Sequence, residues 1–552
     1  MGTFDDVLIK IGEFGRFQIL VFFFFSASYL SSGWHAASMV FLGANKDHWC
    51  HVTALRNLTE SQQRNIVEPI TCPDDVKSAT CRQCYGNVLN YSRYSFEDLT
   101  SWNRSKQLDG TITSEKCQAW EFSSEAYTST LVDQFSLTCD REWMIAMLQT
   151  IYMTGYLIGC LVFGSISDSF GRMKAYLLAL ILEVFFAVVA IYVPWYPLYA
   201  VFRFMLGATS GAVYTCAYVI IVEMMGPRHR TAVGIFNQWG FDVGVLLCTA
   251  VGYSIKDHYS MQWAFAVPPI IFLLGKFIIP ESPRWLVTKG RLDEAEQFLR
   301  KIAKFNQNPI TKTGKLVASI DIEAKPVETS FVDLFRTPNL RKRSLLSFYV
   351  WFSNSAIYYG LMFSASGFGF SIFVNLASSG ASAVISYFVV YVLFNKVGRR
   401  FSMMGSLVFS GVALFICIPL LYVDYLWPLL LVVSFLGKVA NSAAFCGGYL
   451  HSSEYYPTVI RSIGVGCASL FARVGGLLAP QIARLSTVWQ PFPAIILGTI
   501  AITAGLCNFF LPETLNKKLP ETLEDGENFG TTAETQSDEA GVPLTEKEPA
   551  LV

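Results

Sequence analysis

The sequence predicts an all-α membrane protein, with twelve transmembrane helices arranged as two pseudo-symmetric six-helix halves. Composition is the first reason. The 552 residues are 52% hydrophobic and only 15% charged, well below the roughly 25% charge of soluble globular domains. The second is span length: apolar runs of about 20 residues, enough to cross a ~30 Å hydrocarbon core as helix, recur along the chain. The third is a repeat. Glu223 and Arg230 sit seven apart after an apolar run, and Glu454 and Arg461 repeat them at an offset of 231. Gly171-Arg172 recurs as Gly398-Arg399 at an offset of 227, and Pro280-Glu281-Ser282 recurs as Pro512-Glu513-Thr514 at an offset of 232. This near-constancy implies two copies of one membrane unit. Duplicated helical halves are the usual architecture of secondary transporters, with the binding site at their interface near the midplane.

Residues 1–17 read as a cytoplasmic N-terminus holding Asp5, Asp6 and Glu13, too acidic for a cleavable signal peptide. The first span covers 18–41. Residues 42–142 form a large loop with six of the thirteen cysteines: Cys50, Cys72, Cys81, Cys84, Cys117 and Cys139. Asn57-Leu-Thr, Asn90-Tyr-Ser and Asn103-Arg-Ser in the same loop are glycosylation acceptors. Cysteines and acceptors together imply an extracellular disulfide framework of three bridges, with 15 pairings open. A zinc site at Cys81-x-x-Cys84 is the rival reading, and it lacks a second Cys/His pair.

The second to sixth spans fill 143–280, with apolar runs at 143–165, 174–193, 197–221, 231–252 and 261–279. Residues 281–343 are a basic cytoplasmic loop with thirteen Lys/Arg against eight Asp/Glu. Within it, Asp293 to Phe305 alternates apolar and charged residues at helical spacing, as an amphipathic helix on the cytoplasmic membrane face would. The seventh to twelfth spans fill 344–511, at 344–364, 370–394, 402–422, 426–450, 462–484 and 489–511. The tail, 512–552, is polar and acidic from Leu515 onward and is expected to be disordered.

Charge fixes the orientation. The turns that this threading puts inside carry Arg172, Lys174, Arg228, Arg230, Lys396, Arg399, Arg400 and Arg461. The outer turns 193–197, 364–371 and 487–491 carry no Lys or Arg, with Lys256 and Arg484 as outer exceptions. The positive-inside rule then places both termini in the cytoplasm of a multi-pass plasma-membrane protein.

Gly164-Ser-Ile-Ser-Asp168-Ser-Phe-Gly171-Arg172 resembles the G-x-x-x-D-x-x-G-R cytoplasmic signature of the major facilitator superfamily. Further motifs sharpen the likeness. They are Gly12-Glu-Phe-Gly-Arg-Phe-Gln18, the Cys-rich first loop, Pro280-Glu-Ser-Pro-Arg-Trp-Leu286, Glu454-Tyr-Tyr-Pro-Thr-Val-Ile-Arg461 and Leu511-Pro-Glu-Thr-Leu515. Over nearly its whole length the chain resembles the organic cation/anion/carnitine transporter family. Val350-Trp-Phe-Ser-Asn354 and the tail from Pro520 to Phe529 look like its invertebrate members. The resemblance implies a major facilitator fold that moves small organic ions by alternating access. It also implies gating contacts at Asp168, Arg172, Glu223, Arg230, Arg399, Glu454 and Arg461, with Asp168/Arg172, Glu223/Arg230 and Glu454/Arg461 as pairs.

Ionisable side chains inside a bilayer are costly, so each is a functional hypothesis. Asp242 and Arg473 lie twelve residues beyond the Arg of their repeated motifs and 231 apart, which puts both about 18 Å into the membrane. In a major facilitator fold their helices, the fifth and eleventh, face a common cavity. Arg473 is expected to grip an anionic substrate group. Its setting in Ala472-Arg-Val-Gly475 resembles the anion and carnitine branches. Asp242 is expected to hold an amine or a proton. The bland alternative is an internal Asp242–Arg473 ion pair. The eighth span departs from the family, because alignment on Gly398-Arg399 puts Ala383 where other branches carry Glu or Lys.

Lys438 follows Gly437 in the tenth span and reads equally as a binding or a bundle-closing lysine. Arg203 and Glu183 read as structural hydrogen-bonding groups. Tyr214, Tyr218, Trp239, Trp351, Tyr358, Tyr359 and Phe445 are candidates for an aromatic box suited to bulky organic ions, with Gln238 as a neutral polar contact.

No G-x-S-x-G, H-E-x-x-H or Walker A pattern occurs, which argues against an enzyme and against ATP-driven pumping. Coupling then falls to a gradient or to exchange, with a proton, sodium or exchanged anion as co-ion. No cofactor, metal or nucleic-acid partner is expected. The expected partners are an organic ion and the lipid bilayer, and a non-transporting receptor on the same fold is the rival reading.

Overall fold

The computed structural model describes residues 4–69, 82–87, 91, 114–308, 330–364, 371–515, 517, 519–520 and 522–530. Cys72, Cys81, Asn90 and Asn103 therefore lie outside the described residues. Ten helical stretches among them are long and apolar enough to cross a membrane. Two of the twelve expected spans fall short of that simple criterion for readable reasons. The fifth is broken at Asn237–Gln238 into α6 (Pro227–Phe236) and α7 (Trp239–Ser254). The seventh, α10 (Pro338–Phe363), is 26 residues long but opens on Arg341-Lys-Arg343 and buries Ser353-Asn-Ser355.

The remaining helices follow in chain order. The N-terminal half holds α1 (Phe4–Ile11), α2 (Arg16–Ala37), α3 (Trp143–Phe170), α4 (Arg172–Ile191), α5 (Tyr196–Met224) and α8 (His258–Ala266). Then come α9 (Leu292–Phe305) and, after α10, α11 (Ile372–Lys396), α12 (Arg399–Leu420), α13 (Trp427–Tyr455), α14 (Arg461–Arg484), α15 (Phe492–Phe509) and α16 (Leu523–Asn528). The halves meet along two seams, α3 against α14 and α7 against α11. Glycine sets the approach of the helices behind those seams. A Cβ on Gly244 of α7 would sit 2.4 Å from the Leu30 carbonyl of α2, and one on Gly475 of α14 would sit 2.2 Å from the Phe352 carbonyl of α10. These glycines share the 231 offset and lie two positions beyond Asp242 and Arg473, so close backbone contact pins both charged residues in equivalent places.

Two expectations, for the central loop and the tail, need correction. The apolar face of α9 does not lie bare against lipid: Ala295, Leu299, Ile302 and Ala303 are buried in one cluster with Val7, Leu8 and Ile11 of α1. Asn306 ties the two by donating to the Ile11 carbonyl at 3.1 Å and accepting from Phe17 N–H at 2.9 Å. The tail is folded at least to Gly530. Glu527 of α16 accepts from the N–H groups of Asn339 and Leu340 at the start of α10, while Arg343 donates to the Gly526 and Phe529 carbonyls. Burying Phe529 supplies the apolar contact that the acidic composition hid.

Outside the membrane, β1 (His48–Cys50) pairs antiparallel with β4 (Trp120–Phe122), and β2 (Tyr85–Asn87) with β3 (Ser114–Lys116). Disulfides join Cys50 to Cys117 and Cys84 to Cys139. The second bridge removes Cys84 as a thiolate ligand and with it the zinc reading. Asn57 is exposed.

Candidate functional site

Between the halves lies a cavity of about 30 Å³ walled by Tyr156, Tyr214, Gln238, Phe241, Asp242, Tyr358, Tyr359, Ala383, Ser442, Phe445, Cys446, Tyr449 and Arg473. That is room for one or two waters, so the halves are drawn together around it. Asp242 and Arg473 both line the cavity, yet they do not form the internal ion pair that was the bland alternative. Asp242 accepts instead from Tyr387 at 2.6 Å and Tyr358 at 3.0 Å. The Arg473 guanidinium lies over the rings of Tyr156 and Tyr214, 4.7 and 5.5 Å from their centroids. Each charge is therefore stabilised on its own wall, the carboxylate by phenol hydroxyls and the guanidinium by π faces. A ligand can reach either without breaking a salt bridge.

The aromatic candidates divide. Tyr214, Tyr358, Tyr359 and Phe445 line the cavity with Gln238, and Tyr358 stacks on Phe445 at 6.1 Å. Trp351 is withdrawn behind the wall, donating its indole N–H to Ser452 at 2.9 Å and packing edge-on to Tyr449 at 4.4 Å. Tyr218 stands behind Tyr449 at 6.5 Å, and Trp239 turns toward Phe23 at 6.4 Å, so neither forms part of the wall. Helix rotation decides this, because Trp239 neighbours Gln238 in sequence but points about 100° away.

Lys438 is also outside the cavity wall: its ammonium donates to the Asn375 carbonyl, the Asn375 side chain and Ser378, fastening α13 to α11. Arg203 donates to the His35 carbonyl and Ser38 at 3.0 and 3.1 Å and covers Tyr152. Glu183 accepts from Ser210 at 2.5 Å and Ser31 at 3.4 Å.

Tyr387, Tyr156 and Tyr449 were missed from the sequence. Tyr387 carried a readable signal, lying one helical turn past Ala383 on the same face. Tyr156 sits between Gly155 and Gly159, where a Cβ would come within 2.0 and 1.9 Å of α5 carbonyls, so tight α3–α5 contact fixes its ring at the wall.

Around the repeated Gly-Arg and Glu-Arg motifs the pairing differs from the expected scheme. Asp168 pairs with Arg172, as expected, but Arg172 also reaches Glu223 at 2.9 Å, and Arg399 reaches Glu454 at 3.2 Å. Arg230 pairs with Asp5 of α1 at 3.0 Å rather than with Glu223. Arg461 bonds Thr458 and the Tyr456 carbonyl rather than Glu454. Gly171 and Gly398, at φ 115° and 101°, leave space for a carboxylate to cap the helix that follows. Glu281 thus accepts from Met173 N–H, and Glu513 from Arg399 and Arg400 N–H. Burial acts to raise the Glu513 carboxyl, but the N–H groups of Leu515, Arg399, Thr514 and Arg400 outweigh it and hold it below the ordinary value.

Residues 103–525 match the family of sugar (and other) transporters. The chain is 34% identical to an organic cation transporter protein of Drosophila melanogaster, over 96% of this chain and 95% of that one. It is 30% identical to solute carrier family 22 member 2 of Rattus norvegicus, over 96% of each. The fold is similar to that of a proton:xylose symporter of the major facilitator superfamily bound to 6-bromo-6-deoxy-D-glucose. That likeness has a TM-score of 0.59 at 16% identity, over 93% of this chain and 98% of the other.

Proposed function

This chain belongs to the sugar (and other) transporter family of the major facilitator superfamily, in its organic cation/anion/carnitine branch, and from that premise we propose that it carries small organic ions across the plasma membrane by alternating access. The observation that supports this most is one cavity presenting Asp242 and Arg473 on separate aromatic walls at the seam of the halves. Arg473 serves the carboxylate of an anion or zwitterion, and Asp242 serves an ammonium or a coupling proton. Tyr214, Tyr358, Tyr359 and Phe445 supply dispersion and cation–π contact, which tolerate varied shapes. The small Ala383 leaves the selector position uncharged and concentrates selectivity on these two groups.

The Asp168–Arg172–Glu223 and Arg399–Glu454 clusters act as cytoplasmic latches that must part when the inner side opens. Both termini lie inside in this reading. Nothing favours the receptor alternative, since the relatives compared are named as transporters and the latch residues are all present. Uptake of labelled tetraethylammonium, para-aminohippurate and carnitine by expressing cells is the test. Arg473→Ala abolishes uptake of the anion and the zwitterion while Asp242→Asn abolishes that of the cation. Normal anion uptake by Arg473→Ala at equal surface expression overturns the assignment.

A further inference from the structure

Lys256, an outer-side exception to the charge rule, lies just past the end of α7 with its ammonium enclosed by aromatic rings. The Phe373 centroid is 4.6 Å away, and those of Tyr127 and Tyr253 are each 5.2 Å away. Among the described residues it forms no ion pair with a carboxylate. The neighbouring Asp257 is turned to Ser129 and Ser260. Three ring faces around one ammonium is the arrangement by which proteins recognise organic ammonium ligands. The Tyr127 ring is 5% exposed and its hydroxyl is buried without a hydrogen-bond partner, which leaves an acceptor at the cage edge for the N–H of a protonated amine.

The rings come from three separate parts of the chain: Tyr253 from α7, Tyr127 from the outer loop and Phe373 from the start of α11. Phe373 also stacks on Phe41, which follows α2, at 5.4 Å. The cage is therefore complete only when the C-terminal half closes on the N-terminal half at the outer side. It lies fourteen residues along the chain from Asp242, about 20 Å outward from the central cavity.

We propose that Tyr127, Tyr253 and Phe373 form a second binding site, at the outer mouth, for organic ammonium ions, in which the Lys256 ammonium is a tethered occupant that an incoming cation displaces. Displacement draws the cation to the mouth and releases the lysine that bridges the halves there, so loading and outer opening are coupled. The proposal does not depend on which ions the central cavity admits.

The full-length chain in lipid nanodiscs is titrated with tetraethylammonium, and bound cation is counted per chain. K256A loads the mouth with an apparent affinity about tenfold or more above that of the same site in the parent, because the competing occupant is gone. Adding Y127L and F373L to K256A removes the mouth equivalent. Adding D242N instead leaves it, which separates the mouth from the central cavity. K256Q, which keeps the stem and loses the charge, is read in the same way if K256A does not fold. A mouth affinity in K256A or K256Q equal to the parent's, or a mouth equivalent that survives loss of the rings, overturns the proposal.

Discussion

Tyr387→Phe tests how the central cavity is held shut. Tyr387 on α11 and Tyr358 on α10 both donate to Asp242 on α7, so the two bonds run from one half of the molecule to the other. They persist only while the halves are drawn together around the contracted cavity. A hydrogen bond to a charged group contributes about 1.5–3 kcal/mol net. Removing the 2.6 Å bond should then shift the balance toward open conformers by about 2 kcal/mol, roughly 30-fold. Cys446 reports the opening, since it lines the same cavity and is 4% exposed. In nanodiscs, its alkylation by N-ethylmaleimide, followed by peptide-resolved mass spectrometry, should accelerate by about tenfold or more. Cys417, buried away from the cavity wall, supplies the internal standard. Tyr349→Phe supplies the control, because it also deletes a phenol hydroxyl but breaks a bond to Thr503 within the C-terminal half. A Cys446 rate in Tyr387→Phe equal to that in Tyr349→Phe and the parent refutes the idea that Asp242 tethers the halves.

Three further outcomes follow from the geometry. Arg399→Ala leaves Glu454 half-buried without its cation, a loss of about 3 kcal/mol. Turnover at equal surface expression should fall, and Arg399→Ala with Glu454→Ala should recover part of the thermal stability; equal melting temperatures for parent and single variant would dismiss the latch. Glu513→Gln weakens the cap on α12 and should cost about 1 kcal/mol at neutral pH. Because the folded carboxyl sits below its ordinary value of 4.5, that stabilisation is present above the unfolded value and lost as pH falls through the folded one. Melting curves of parent and variant should therefore converge in acid. Cys50→Ser opens a bridge with a sequence separation of 67, which the loop-entropy relation puts at about 4 kcal/mol. Surface delivery should drop sharply, and undiminished delivery would show that the outer loop holds without that bridge.

The sequence by itself determined the long apolar helices, the duplication, the family likeness and the equivalent places of Asp242 and Arg473 in the two halves. These follow from hydropathy, from a constant offset and from the fixed rise per residue of a helix, all of which are one-dimensional properties. It also named Arg172, Glu223, Arg399 and Glu454, which form ion pairs, and it paired Asp168 with Arg172, but it missed the pairs that join separate helices. Sequence proximity favoured Glu223 with Arg230, whereas the helix ends bring Arg172 to Glu223 and leave Arg230 to Asp5 in the N-terminal helix α1. The folded tail was hidden for a similar reason, since the backbone amides that accommodate Glu527 belong to α10. Only the tertiary structure decided which aromatics form the cavity wall. Trp239 and Trp351 sit on the expected helices, but a residue's side of a packed helix is set by rotation and by close backbone contacts such as Gly244 on Leu30. It likewise decided that Asp242 and Arg473 stand apart. Tyr358, Tyr387, Tyr156 and Tyr214 come from four different helices, and no linear pattern shows which of them converge on a charge.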